Sequence, residues 1–138
     1  MSPAHDISIS VPNSAKRDAD RMRAQWRVAL VTHAATLPQL LRAACAQAGA
    51  PLLRLRLLDV LSASGETVAA SNRVMARLRA ENGVDAQVEN RDLTVAWLLD
   101  PRARPEARLT SLADALATVH GSRLSLVEPT GWPYRAVV

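Results

Sequence analysis

Five arginines crowd one stretch of this chain: Arg54 and Arg56 precede the polar turn Ser64-Gly65-Glu66-Thr67, and Arg73, Arg77 and Arg79 follow it. The chemistry open to such a set is displacement of counterions from phosphates, which needs several cations and amide donors spaced along one surface. Ser64, Gly65 and Thr67 add hydroxyls and amides at the expected start of a helix, where N–H groups and the dipole favour an anion. Arg21, Arg23 and Arg27 extend the cationic set upstream. Arginine also enters narrow minor grooves, so a weak preference through DNA shape is compatible with this set. The competing expectation is that the arginines solvate helix faces and pair with Asp59, Glu66 and Glu81.

Catalytic chemistry finds little footing. His5, His33 and His120 fall in separate segments, with neither His-x-Glu nor His-x-x-x-His spacing for a metal. No glycine-rich phosphate loop follows a strand-like run, and there is no Gly-x-Ser-x-Gly elbow. Cys45 is the only cysteine, which excludes an intramolecular disulfide, and its alanine neighbours mark a buried structural thiol rather than a nucleophile. Catalytic residues, metal ligands and cofactors are each expected to be none, and the protein is expected not to be an enzyme.

The elements that must position the arginines follow from composition and periodicity. A length of 138 residues suits one domain with a real core. The aromatics are only Trp26, Trp97, Trp132 and Tyr134, so Leu, Val and Ala must fill that core, which favours helices. The net charge of +4 is uneven: residues 1–83 carry eleven basic against six acidic side chains, and residues 84–138 six against seven. An excess confined to one part of the chain attracts a polyanion, either nucleic acid or an acidic membrane surface. No run approaches the roughly 20 apolar residues of a membrane span, and no apolar signal core follows the first charges, so a cytoplasmic protein is expected.

Residues 1–14 hold two prolines and the alternation Ile7, Ile9, Val11, and read as an extended N-terminal arm. A helix capped by Asn13 or Ser14 is expected to His33, with Met22, Trp26 and Leu30 facing the core, Arg17, Arg21 and Arg27 opposite, and Arg23 at the boundary. Thr36 and Gln39 have capping-box spacing before the stripe Leu37, Leu40, Leu41, Ala44, a helix that Gly49 should end. Leu53 to Leu57 alternates strictly with arginine, as a strand would, but leucine is a poor strand former and the apolar run continues through Leu61. A buried helix is therefore expected.

After the turn, a helix opened by Glu66 or Thr67 and closed at Asn82-Gly83 should bury Val68, Val74, Met75 and Leu78 and expose Arg73 and Arg77. Residues 84–91 read as a loop, Asp92 as the cap of a short helix Leu93 to Leu99, and residues 101–108 as a flexible Pro/Arg surface connector. Ser111 with Asp114 should begin the last helix, Leu112 to Val119. Residues 122–138, with Leu124, Leu126, Trp132 and Tyr134, are expected to pack back over the helices or against a second subunit. The expected architecture is one compact all-α domain of five or six helices over residues 15–121, with arm and tail.

The order of elements from Arg21 to Leu78 resembles the actinobacterial integration host factor family, small nucleoid-associated proteins unrelated to the heterodimeric integration host factor of enteric bacteria. Arg21 to Leu30 resembles the family's charged long helix, Leu37-Pro-Gln-Leu-Leu its short second helix, Leu55 to Leu61 its Leu-rich buried helix, and Arg73-Val-Met-Ala-Arg-Leu the helix after the turn. The resemblance implies a helix-two-turn-helix-like central pair and a cytoplasmic protein of the nucleoid. Its implied partner is double-stranded DNA, held through phosphates with low sequence specificity; a homodimer is a further candidate assembly, and a membrane is not. Two features depart from the family. Its turn has a Gly-x-Gly-Lys-like element where this chain has one glycine and the acid Glu66, and the chain is longer after Gly83. A carboxylate facing a phosphate weakens binding unless neutralised. The alternative function is a non-catalytic helical adaptor that uses Trp97, Trp132 and Tyr134 as anchors.

Overall fold

Leucines from every helix meet in a single core, from Leu30 near the end of the first helix to Leu109, Leu112 and Leu116 of the last. The computed structural model describes the backbone of residues 3–121 and the side chains of residues 14–121. In order, the elements are α1 (Pro3–Val31), α2 (Leu37–Cys45), a 3-10 segment (Gln47–Arg54), α3 (Leu57–Ala63), α4 (Val68–Glu81), a second 3-10 segment (Asn90–Asp92), α5 (Val95–Leu98) and α6 (Pro105–His120). No strand occurs among the described residues, so the fold is an all-α single domain. The first 3-10 segment packs against α1, α2 and α5; α1 and α4 flank α3; and α4 lies against α6.

Caps set the boundaries of α2 and α4. The Thr36 hydroxyl accepts from Gln39 N at 3.4 Å and the Gln39 side chain accepts from Thr36 N at 2.8 Å, completing the capping box. Thr67 Oγ1 accepts from Ala70 N at 3.1 Å and opens α4, and Asn82 closes it by donating from Nδ2 to Leu78 O at 2.8 Å. Between α3 and α4, Glu66 N donates to Leu61 O and Gly65 N to Ser62 O, the paired bonds of a Schellman turn. Gly65 takes the left-handed conformation that this turn requires, with φ +101°.

The stretch from Pro51 to Leu61 differs from the expected continuous helix. Only Leu57–Ala63 is α-helical; Leu55 and Arg56 are extended, and Arg56 forms an antiparallel bridge with Thr94. Leu57 N donates to Leu93 O at 3.0 Å and Val95 N to Leu55 O at 2.9 Å. Pro51, which lacks an N–H, lies within the 3-10 segment; that segment ends at Arg54, and the backbones of Leu55 and Leu57 then find partners across the core.

Gly49 does not terminate α2, which ends at Cys45. It is buried in the 3-10 segment, where an added Cβ would lie 1.8 Å from Ala43 O. Val68, expected in the core, is 79% exposed, because Thr67 caps α4 immediately before it and the buried face begins at Ala70.

Other boundaries shift for local reasons. α1 runs back through Pro12 to Pro3 where an extended arm is expected; Pro3 at its start needs no intrahelical donor, and Pro12 leaves one bond of the ladder unmade. Thr94, not Asp92, caps α5, accepting from Trp97 N at 3.3 Å, while Asp92 accepts from Glu89 N at 3.1 Å. α6 begins at Pro105 rather than near Ser111, so half of the expected connector is helical, as proline's fixed φ suits a first helical turn. Ser111 is buried and donates to Glu81 Oε2 at 3.3 Å, joining α6 to α4. The expectations for Leu124, Leu126, Trp132 and Tyr134 lie outside the described residues.

Two substitutions test this packing by urea denaturation. Gly49→Ala should cost about 2–3 kcal/mol, because the Ala43 carbonyl that its methyl meets is backbone and must move. Ser71→Ala should be neutral or stabilising by up to about 1 kcal/mol, because the buried Ser71 hydroxyl has no hydrogen-bond partner.

Candidate functional site

The extended backbone at Leu55 and Arg56 decides where two of the central arginines point. In a helix, residues two apart lie on nearly opposite faces, whereas in extended chain they share one. Leu55 and Leu57 are accordingly buried and Arg54 and Arg56 are both exposed. Neither has an ion-pair or hydrogen-bond partner for its guanidinium among the described residues, and Asp59 makes no ion pair there. Arg27 and Arg73 are likewise exposed and unpartnered.

The other arginines have structural work. Arg23 is half-buried and donates to Asp20 Oδ1 at 2.5 Å and to Pro51 O at 3.2 Å, fastening α1 to the first 3-10 segment. Arg27 lies one helical turn beyond Arg23 on α1, and Arg54 three residues beyond Pro51. Arg77 pairs with Glu81 and donates to Thr118 Oγ1 at 2.9 Å, bridging α4 and α6. Arg79 donates to Asn90 Oδ1 at 3.2 Å and to Asp85 O at 2.9 Å, holding the loop after α4. Arg21 pairs with Asp18 at 3.6 Å with both side chains largely in water, a contact that opens at little cost.

The turn supplies fewer donors than its composition suggests. Ser64 Oγ donates to Val60 O at 2.9 Å and Thr67 Oγ1 is occupied as a cap; Gly65 is exposed with open space around it. Glu66 is directed inward. Its side chain is only 8% exposed and meets His120 Nε2 at 2.5 Å, so the carboxylate is withdrawn from the turn's outer surface.

That pair belongs to a cleft of about 390 Å³ at the pole where α1, α3 and α6 end, which Glu66, His120 and His33 all line. His33 sits just past α1 with φ +61°, a left-handed conformation that costs a non-glycine residue about 1 kcal/mol. Glu66 and His120 are 54 residues apart, so nothing in local spacing signals their meeting. Among the described residues no group of three or more His, Cys, Asp or Glu is arranged to hold a metal, and no helix is long and apolar enough to cross a membrane.

Trp97, expected as an interface anchor, is half-buried against the core; the Arg108 guanidinium stacks 4.1 Å from its ring centroid and donates to its carbonyl. Burial depresses the Arg108 pKa. At the neighbouring turn, hydrogen bonds from Arg102 hold the Asp100 carboxyl below its usual range.

Cys45 is 3% exposed, and desolvation raises its thiol to about 11. At pH 8 about one molecule in a thousand then carries the thiolate, so Ellman's reagent should label the native chain far more slowly than the urea-unfolded chain. The raised pKa favours the folded state fully below about pH 9, and this contribution declines as pH rises towards 11; Cys45→Ala should remove that part of the alkaline loss of stability. A scan of protein-family models, a search of curated proteins and a search of solved structures find no match to this chain.

Proposed function

We propose that the protein binds double-stranded DNA through its phosphates, with low sequence specificity and without catalysis, as a nucleoid-associated or accessory regulatory protein. The observation that carries this reading is the exposure of Arg27, Arg54, Arg56 and Arg73 with no carboxylate partner among the described residues. Arg54, the last residue of the first 3-10 segment, and Arg56, in extended chain, are both exposed within two residues of each other, a set suited to phosphates rather than to one base edge. Glu66, the residue most adverse to a phosphate at the turn, is folded against His120. Arg23, Arg77 and Arg79 support the fold in this reading, and Ser64 and Thr67 shape the turn without themselves holding the ligand.

A helical adaptor has one observation in its favour: Val28 and Val31, three residues apart on α1, are 61% and 60% exposed. A second copy of the chain is one partner such a face would suit.

Anisotropy titration with a labelled duplex at several salt concentrations separates the readings. Binding should weaken steeply with salt, and Arg54→Glu with Arg56→Glu should lower affinity by roughly tenfold or more and reduce the log–log salt slope by about 2. Arg77→Gln should lower stability and leave that slope unchanged. Salt-insensitive or absent binding by the native chain would leave the adaptor reading in place.

A further inference from the structure

We propose that the cleft between the ends of α1, α3 and α6 binds a small organic ammonium, one protonated amine carried on an apolar body. Its volume of about 390 Å³ lies at the lower end of small-molecule sites. The apolar walls are Leu30, Leu37, Leu61 and Leu116, contributed by four different helices. Glu66 is the one carboxylate among the lining residues. One of its oxygens is taken by His120 Nε2, and the other has no protein donor among the described residues and keeps some contact with water, although the side chain as a whole is 92% withdrawn. A carboxylate so enclosed gains most from a donor that brings positive charge.

The surrounding backbone points the same way. α1, α3 and α6 direct their C-terminal ends to this pole, where the helix dipoles favour a cation, although Leu30 O, Leu61 O, Ser62 O and Ala117 O already accept capping bonds. The start of α2 also lines the cleft, but its donors are already engaged: Gln39 N is bonded to Thr36 Oγ1, Thr36 N to Gln39 Oε1, and Pro38 has no N–H. Glu66 N is bonded to Leu61 O and Ala70 N to Thr67 Oγ1, so an anion entering here would meet few amide donors. His33 and His120 complete the rim and, if protonated, would attract an anion instead, so the test includes one.

The probe is benzylamine, titrated into the full chain at pH 8 without DNA and followed by amide chemical shifts in NMR. Saturable shifts are expected at His33, Thr36 and Ser64, with benzyl alcohol and phenylacetate binding at least tenfold more weakly. Glu66→Gln should weaken benzylamine binding at least tenfold. Because that change also removes the contact with His120, Ala35→Phe serves as a second variant: it narrows the mouth with Glu66 intact and should abolish binding while helical circular dichroism is retained. His120→Ala frees the Glu66 carboxylate and should tighten binding. The proposal is overturned by phenylacetate binding as tightly as the amine, by full binding in a folded Glu66→Gln protein, or by no saturation at millimolar benzylamine. DNA binding is measured separately, so either reading can fail alone.

Discussion

Backbone amides and carbonyls removed from water must find partners, and in this protein that constraint is concentrated in residues 47–57. The segment runs between α1, α2 and α5 in 3-10 and extended geometry, so an α-helical ladder does not satisfy it. Its bonds are made piecewise: Gly49 N to Ala46 O, Leu55 N to Leu52 O, and across the core between Leu55, Leu57 and residues 93–95. This arrangement ties the short α5 region to the first half of the chain. It also requires glycine at position 49, where α2 passes too close for any side chain.

The same segment turns packing into surface charge. Leu52, Leu55 and Leu57 are buried, while Arg54 and Arg56, on either side of the extended Leu55, are both exposed. A continuous helix would have sent these two arginines to nearly opposite sides, one of them towards the core. The departure from helix thus produces the cationic pair on which the proposed DNA contact rests. Arg23, which looks equivalent in sequence, anchors the segment from α1 through the Pro51 carbonyl and is not presented to solvent in the same way.

What could be read in advance depended on how local the cause was. The Thr36–Gln39 box, the Thr67 cap, the Asn82 stop, the leucine stripe of α2 and the Val74, Met75 and Leu78 face of α4 each follow from residues within one or two turns, and each was legible. The bridge of Arg56 to Thr94 was not, because the partner that stabilises it lies 38 residues away in a segment with no strand signal of its own. Thr94 was overlooked as a cap because Asp92 has the stronger intrinsic preference, although its carboxylate is already used by Glu89 N. The division of arginines into tethers and free cations was equally hidden. Arg77 has a visible i,i+4 acid in Glu81 and Arg23 an i,i−3 acid in Asp20, but the Pro51 carbonyl that Arg23 also meets, and the Asn90 amide and Asp85 carbonyl that hold Arg79, depend on how the chain folds back.

Glu66 shows how one residue serves two surfaces. In a Schellman turn the position after the left-handed glycine often packs an apolar side chain back on the helix it leaves. Here that position carries a carboxylate, and an inward course takes it to His120 at the end of α6, where a helix C-terminus suits an imidazole that can bear positive charge. Turning outward would put negative charge beside Gly65 and the start of α4; turning inward puts it in a leucine-lined cleft instead. The outer face of the turn is thereby left without a carboxylate, and the cleft behind it gains one.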